Sequence, residues 1–212
     1  MKHLKPYQNI SEAMIHLDNG GHFFNLFTKA DDGEINTAEL IKVAGLFNQQ
    51  QRLVLFLELS ISSLSKQEQV EIISRLDDKL RSAFLKYKAQ ELMACEANKV
   101  GIVGGNTIIT GIPKIKESKT EFQGVVLIPI LTGKVMTFVP IPIMDRYDLY
   151  EVCDDEQSEV FIIAHYRGKS KLPAEKIKVA GLLKEIQVKE DGVTRNQKFL
   201  EINYYSNFHE VR

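Results

Sequence analysis

The chain has 212 residues, 44% of them hydrophobic, with 27 basic and 28 acidic side chains and a net charge of −1. That suffices to bury one large core or two small ones, and it lacks the surplus of Lys and Arg that phosphate neutralisation favours. Residues 1–90 hold 11 charges of each sign, so neither half is a basic domain. Cys95 and Cys153 have no metal-ligand or C-x-x-C spacing, which sets aside zinc and dithiol chemistry and makes a reducing cytoplasm the expected location.

The N-terminal residues Met1 to Tyr7 are mixed and polar, without the roughly 7 to 15 apolar residues of a secretory core segment. Residues 11 to 92 read as helices. Leu53, Phe56, Leu57, Leu59 and Leu64 form a dense apolar helical segment interrupted by Ser60, Ser62 and Ser63. Ser65 with Glu68 is a capping box, opening a helix predicted to bury Val70, Ile73, Leu76, Leu80, Phe84 and Tyr87 on one face.

Upstream of these, Phe23 to Leu40 contains Asp31-Asp32-Gly33-Glu34-Ile35-Asn36 and Glu39-Leu40. With Gly33 at the sixth loop position, this segment resembles a degenerate EF-hand. The resemblance implies calcium contacts from Asp32, Glu34, Asn36 and Glu39, while Thr28 and Ala30 stand where oxygen ligands are required. The competing reading is structural: Asp32-Gly33 turns the chain, Ile35 packs inward, and Asn36 caps a helix with Glu39 at its third position. The Asp-Gly-Glu-Ile and Glu-Leu pattern also resembles the loop of tellurite-resistance TerB-type helical domains.

From Asn98 the vocabulary changes to β-branched residues, glycine and proline, which places a domain boundary between a helical domain at 1–97 and a β-rich domain at 98–212. Strands are predicted at 106–116, 122–130, 135–143, 147–153, 159–166, 176–187 and 198–205, with turn residues at 104–106, 132–133, 154–156 and 190–192. Lys99 to Asn106 lacks the G-x-G-x-x-G spacing and the following helix of a dinucleotide site, and reads as a Gly-Gly-Asn turn between strands. The apolar stretch Val125 to Met144 is broken by Pro129, Gly133, Lys134, Pro140 and Pro142, so it reads as a hairpin rather than a membrane helix. Apolar surface around its Pro-rich part, Ile128 to Ile143, suits a homodimer contact or, if the barrel is open, the mouth of a hydrophobic-ligand site.

The order of a strand at Glu159–Gly168, a short link at Lys171–Glu175, a strand at Lys176–Ile186 and a closing strand at Lys198–Ile202 resembles an OB-fold of the tRNA-anticodon-binding-like kind. Gly181 suits the bend that closing such a barrel needs. The resemblance implies single-stranded nucleic-acid contacts from Tyr166, Arg167, Lys169, Lys171, Lys176, Lys178 and Lys184. Alternation, however, puts His165 and Arg167 on one face with Phe161 and Ile163, and Tyr166 on the other. The lysines equally suit a charged edge that discourages strand addition.

No complete catalytic motif is present, no cofactor is called for, and His3, His16, His22, His165 and His209 are scattered. The expected protein is therefore α+β, a helical module followed by an antiparallel OB-like β-barrel. Its expected role is a non-enzymatic binding or adaptor protein with a protein partner. The alternatives are an OB-type binder of single-stranded nucleic acid, and an enzyme joining His165, Tyr166 or Cys153 to an acid of the helical half.

Overall fold

The computed structural model describes residues 1–18, 31–47, 49–116, 123–132, 135–143, 147–154, 159–166, 171–190 and 193–208. The chain is mixed α+β and divides into two compact units. One contains Glu91–Asn203 with Met1; the other contains Lys2–Gln90 and Tyr204–Arg212. The boundary expected at 97/98 falls inside a helix, and the units part at Gln90/Glu91.

The helical unit contains α1 (Ile10–Leu17), α2 (Thr37–Ala44), α3 (Gln50–Ser60), α4 (Lys66–Ser74) and α5 (Asp78–Tyr87); α3 packs against α2 and α5, and α1 against α2 and α4. Leu53 to Leu57 and Leu59 of α3 are all buried, so this helix is apolar all round, as a central helix must be. The capping boxes expected at Ser65/Glu68 and Asn36/Glu39 are both formed. The single helix read through residues 65–87 is two helices. Asp77 adopts an extended backbone and accepts from Leu80 N–H at 2.6 Å, opening α5 and ending the periodicity. Ile72 therefore takes the buried place on α4, while Val70 is 65% exposed.

Ile35 and Leu76 form a bridge that joins the segment before α2 to the segment before α5. Asp77 reinforces it by accepting from Thr37 N–H at 3.3 Å, so one carboxylate serves the starts of two helices. The chain end returns to this unit, where β1 (Lys2–His3) pairs in parallel with Tyr204 and Tyr205.

The β unit contains β2 (Gln90–Met93), α6 (Ala94–Val100), β3 (Asn106–Ile115), β4 (Gln123–Thr132), β5 (Val135–Pro142), β6 (Tyr147–Cys153), β7 (Phe161–Tyr166), β8 (Ile177–Glu190) and most of β9 (Val193–Asn207). Strand β2 begins inside the stretch 11–92 read as helices, and helix α6 runs across the change of vocabulary at Asn98. Asp154 holds the start of α6, accepting from Ala94 N–H at 2.9 Å and Cys95 N–H at 3.2 Å. The Gly-Gly-Asn turn joins α6 to β3 rather than two strands. Gly104 has φ of 83°, a left-handed conformation that glycine adopts without penalty.

Strand pairing makes a closed circuit: β3 with β6, β6 with β7, β7 with β9, β9 with β8, and β8 with β3. The β7–β9 step is parallel, and the β3–β6, β6–β7 and β3–β8 steps are antiparallel. Registers place Ile109, Val152, Phe161, Ile163, Val179 and Leu200 on one common face, and all are buried. Gly181 lies on that face, and a Cβ there would come within 2.1 Å of the Glu201 carbonyl oxygen. Only glycine lets β8 and β9 approach so closely. The opposite face carries a second buried cluster of Ile143, Tyr147, Leu149, Ile162, Ala164 and Phe199 with Ile186 and Val188. The turn residues expected at 133, 155–156 and 191–192 lie outside the described residues.

Candidate functional site

Strand β8 pairs with β3 through Leu182 and with β4 from Gln187 onward, which leaves Lys184, Glu185 and Ile186 between the two ladders. A cleft of about 490 Å³ lies there, lined by Val103, Gly104, Leu182 to Gln187, Asn196 and Phe199. Its walls are mainly aliphatic and aromatic. The loop that leads to it, just after α6, leaves Ile102 60% and Val103 49% exposed.

The charges at this cleft are satisfied from within the unit. Glu201 on β9 is buried, and its Oε2 accepts from Lys184 Nζ and from Tyr147 Oη, each at 2.6 Å. A carboxylate buried this far is retained only when paired and hydrogen-bonded, and both conditions are met here. Burial, followed by the hydrogen bond to Glu201, pushes the Tyr147 phenol well above its ordinary range. Tyr147 also stacks on Tyr166, with ring centroids 4.8 Å apart. At the rim, Asn196 donates to Glu185 at 3.2 Å.

The expected nucleic-acid residues are thus placed differently from one another. Tyr166 is partly exposed but packed on Tyr147, and Lys184 is engaged by Glu201. Lys178 shares a face of β8 with Lys184 at six residues' remove, roughly 20 Å along a strand. Lys171 and Lys176 are exposed in the segment before β8. Arg167 and Lys169 lie outside the described residues. The alternation holds: His165 is fully buried on the face of Phe161 and Ile163, opposite Tyr166. Its ring stacks on Tyr150 at 5.5 Å, and its Nδ1 lies 3.0 Å from the Tyr166 carbonyl. Tyr150 in turn accepts from Leu172 N–H, and burial raises its phenol pKa.

In the helical unit, Asp32 Oδ1 accepts from Glu34 N–H, while Glu34 itself is exposed. Asn36 Oδ1 accepts from Ala38 and Glu39 N–H, and Glu39 Oε2 accepts from Asn36 N–H at 3.0 Å. These oxygens serve the start of α2. Asp18, which the sequence reading passed over, holds the turn by accepting from Asp32 N–H at 3.2 Å and Gly33 N–H at 2.8 Å. Glu39 is fully buried and its Oε1 has no partner among the described residues. Burial pushes its carboxyl up to about 7, the Asn36 amide opposes this, and Asp18 and Asp32 add to it. Among the described residues no three His, Cys, Asp or Glu side chains are arranged to hold a metal ion. Positions 28 and 30 of the EF-hand-like loop lie outside them. No described helix is long and apolar enough to cross a membrane.

Neither protein-family models nor curated proteins match this chain. Among solved structures it is similar to the N-terminal domain of an archaeal MCM, at 13% identity and a TM-score of 0.36, with 81% of this chain and 84% of that one covered.

Proposed function

We propose that this protein is a binding module whose β unit is an OB-like barrel and whose β8 cleft takes an apolar, uncharged segment of a protein partner. The barrel reading is supported by the circuit of pairings. Taken in chain order, β3, β6, β7, β8 and β9 pair first to second, second to third, third to fifth, fifth to fourth and fourth to first, the order expected of a five-stranded OB-fold.

The observation that carries the partner class is that the described lining of the cleft offers a phosphate no free cation. Lys184 is the candidate cation that lines it, and its ammonium is held by the buried Glu201 carboxylate. A phosphate backbone arriving there would have to compete with a partner already desolvated. An aliphatic or aromatic side chain meets Val103, Leu182, Ile186 and Phe199 and leaves that pair intact.

The test is selection from a displayed random-peptide library, with short single-stranded DNA and RNA titrated against salt on the same sample. Enrichment of apolar, uncharged peptides that is lost in Val103→Asp supports the reading. An empty selection, or oligonucleotide binding that falls steeply with added salt, overturns it.

A further inference from the structure

Strand β8 changes partner along the cleft, and where it does so one rung of the sheet is missing. Leu183 donates its N–H to the Gly105 carbonyl at 3.0 Å and accepts from Gly104 N–H at 2.8 Å, so its main-chain groups face the β3 side. Main-chain groups face alternate sides along a strand, so those of Glu185 and Gln187 point the same way as those of Leu183. Gln187 pairs with Val125 of β4. The register with β3 ends at Asn106–Leu182 and that with β4 begins at Val125–Gln187, and among the described strands none pairs with Glu185 on this side.

Both neighbours turn away. Gly104, with φ of 83°, and the bond from Gly105 N–H to the Ile102 carbonyl fold residues 102–105 into a turn that leaves β8 at once. From Val126 onward β4 pairs with β5. Leu183 to Gln187 is four residues, about 13 Å at about 3.3 Å per residue, which leaves room for one rung between the two ladders. The Glu185 N–H and C=O open into the cleft, whose lining runs along β8 from Leu182 to Gln187.

A main-chain donor and acceptor on one strand residue are matched by the main chain of another. We infer that the partner segment supplies the missing rung: one of its residues, extended and antiparallel to β8, donates its N–H to the Glu185 carbonyl and accepts the Glu185 N–H. A single antiparallel residue makes both bonds, whereas a parallel segment needs two, and β3 and β4 also run antiparallel to β8. Residues paired across two strands share a face, so the bridging side chain lies beside that of the exposed Glu185. The residues before and after it lie on the face of Lys184 and Ile186, where Leu182 and Phe199 line the cleft. The pattern required is an apolar residue on each side of one whose side chain is unconstrained. A phosphate offers acceptors and no donor, and leaves the Glu185 carbonyl unmet. This inference rests on the cleft reading above and adds to it the partner's conformation and register.

The probes are peptides enriched in the selection above, resynthesised with capped ends and with each backbone N–H methylated in turn, and titrated calorimetrically against the full chain. Methylation at one position should weaken binding about tenfold or more, because the Glu185 carbonyl is then desolvated without a donor, while methylation at either neighbour, whose N–H points away from β8, should change it less than about twofold. Glu185→Pro removes the other half of the rung where proline costs the sheet no ladder bond, and should weaken binding by a similar factor. Amide exchange on the wild type keeps the test decisive if this variant misfolds. Without peptide the Glu185 N–H should exchange on the order of 100-fold faster than those of Leu183 and Gln187, and with peptide it should slow towards them. An empty selection overturns the cleft reading and this inference together. Peptides that bind yet tolerate methylation at every position overturn this inference alone, as does a Glu185 amide that is already protected in the free chain or unchanged by peptide.

Discussion

The helices and the sheet use carboxylates in opposite ways. In the helical unit Asp18, Glu39, Glu68 and Asp77 all serve backbone N–H groups that helix starts and turns leave unsatisfied, as Asp154 does at the start of α6. In the sheet the ladders use up the backbone, and Glu201 binds side chains instead, those of Lys184 and Tyr147 on two other strands. Charge in the first region is a local matter of ending and starting helices, set mostly within three residues. In the second it ties together strands 17 and 54 residues apart in sequence. The consequence is that damage to a cap should stay local, whereas damage at Glu201 should spread through the sheet.

The largest expected effect tests how tightly the β unit is closed. Gly181→Ala puts a Cβ against backbone that cannot move without separating β8 from β9. It should cost about 2–4 kcal/mol in a denaturant titration, the range for overpacking and backbone strain. A loss below about 0.5 kcal/mol would mean that β8 and β9 are not held at this distance.

Next comes the buried pair. Glu201→Leu removes the acceptor of two hydrogen bonds and leaves Lys184 uncompensated, so a loss of about 3 kcal/mol is expected. Combining it with Lys184→Met should recover a large part, because an apolar pair of similar volume needs no desolvation. Strictly additive losses from the two substitutions would show that the pair does not couple the strands.

The smallest effect belongs to the helical unit and is read in pH. The Glu39 carboxyl is raised to about 7 from an ordinary 4.5, so the folded chain holds this proton more tightly than the unfolded one. Its contribution is fully present below about pH 4.5 and is lost as pH rises through about 7, with folding stability falling across that window. Glu39→Gln keeps an acceptor for Asn36 N–H and carries no titratable proton, so it should flatten this decline, by about 1 kcal/mol between pH 5 and pH 8. Melting curves across that range check it, and a variant whose pH profile follows the wild type would place the titration on another group.

What the sequence determined by itself was whatever neighbours along the chain decide. The boxes Ser65/Glu68 and Asn36/Glu39 close within one helical turn, and strands 106–115, 135–142 and 147–153 announce themselves by β-branched runs and the glycine and proline that bound them. Gly181 could be singled out because a glycine inside a strand run marks a close approach. The break at Asp77 was legible in principle, since an aspartate at a helix start is a cap, but the apolar period ran through it and hid it. Tertiary structure alone decided the rest. Helix α6 rests on Asp154, some 60 residues away, and the turn at Gly33 rests on Asp18, 15 residues upstream. The order of strand pairing brought Glu201, Lys184 and Tyr147 together and opened the cleft where β8 passes from β3 to β4. Period and propensity act over a few residues, while the partner of a buried charge is set by which strands lie side by side.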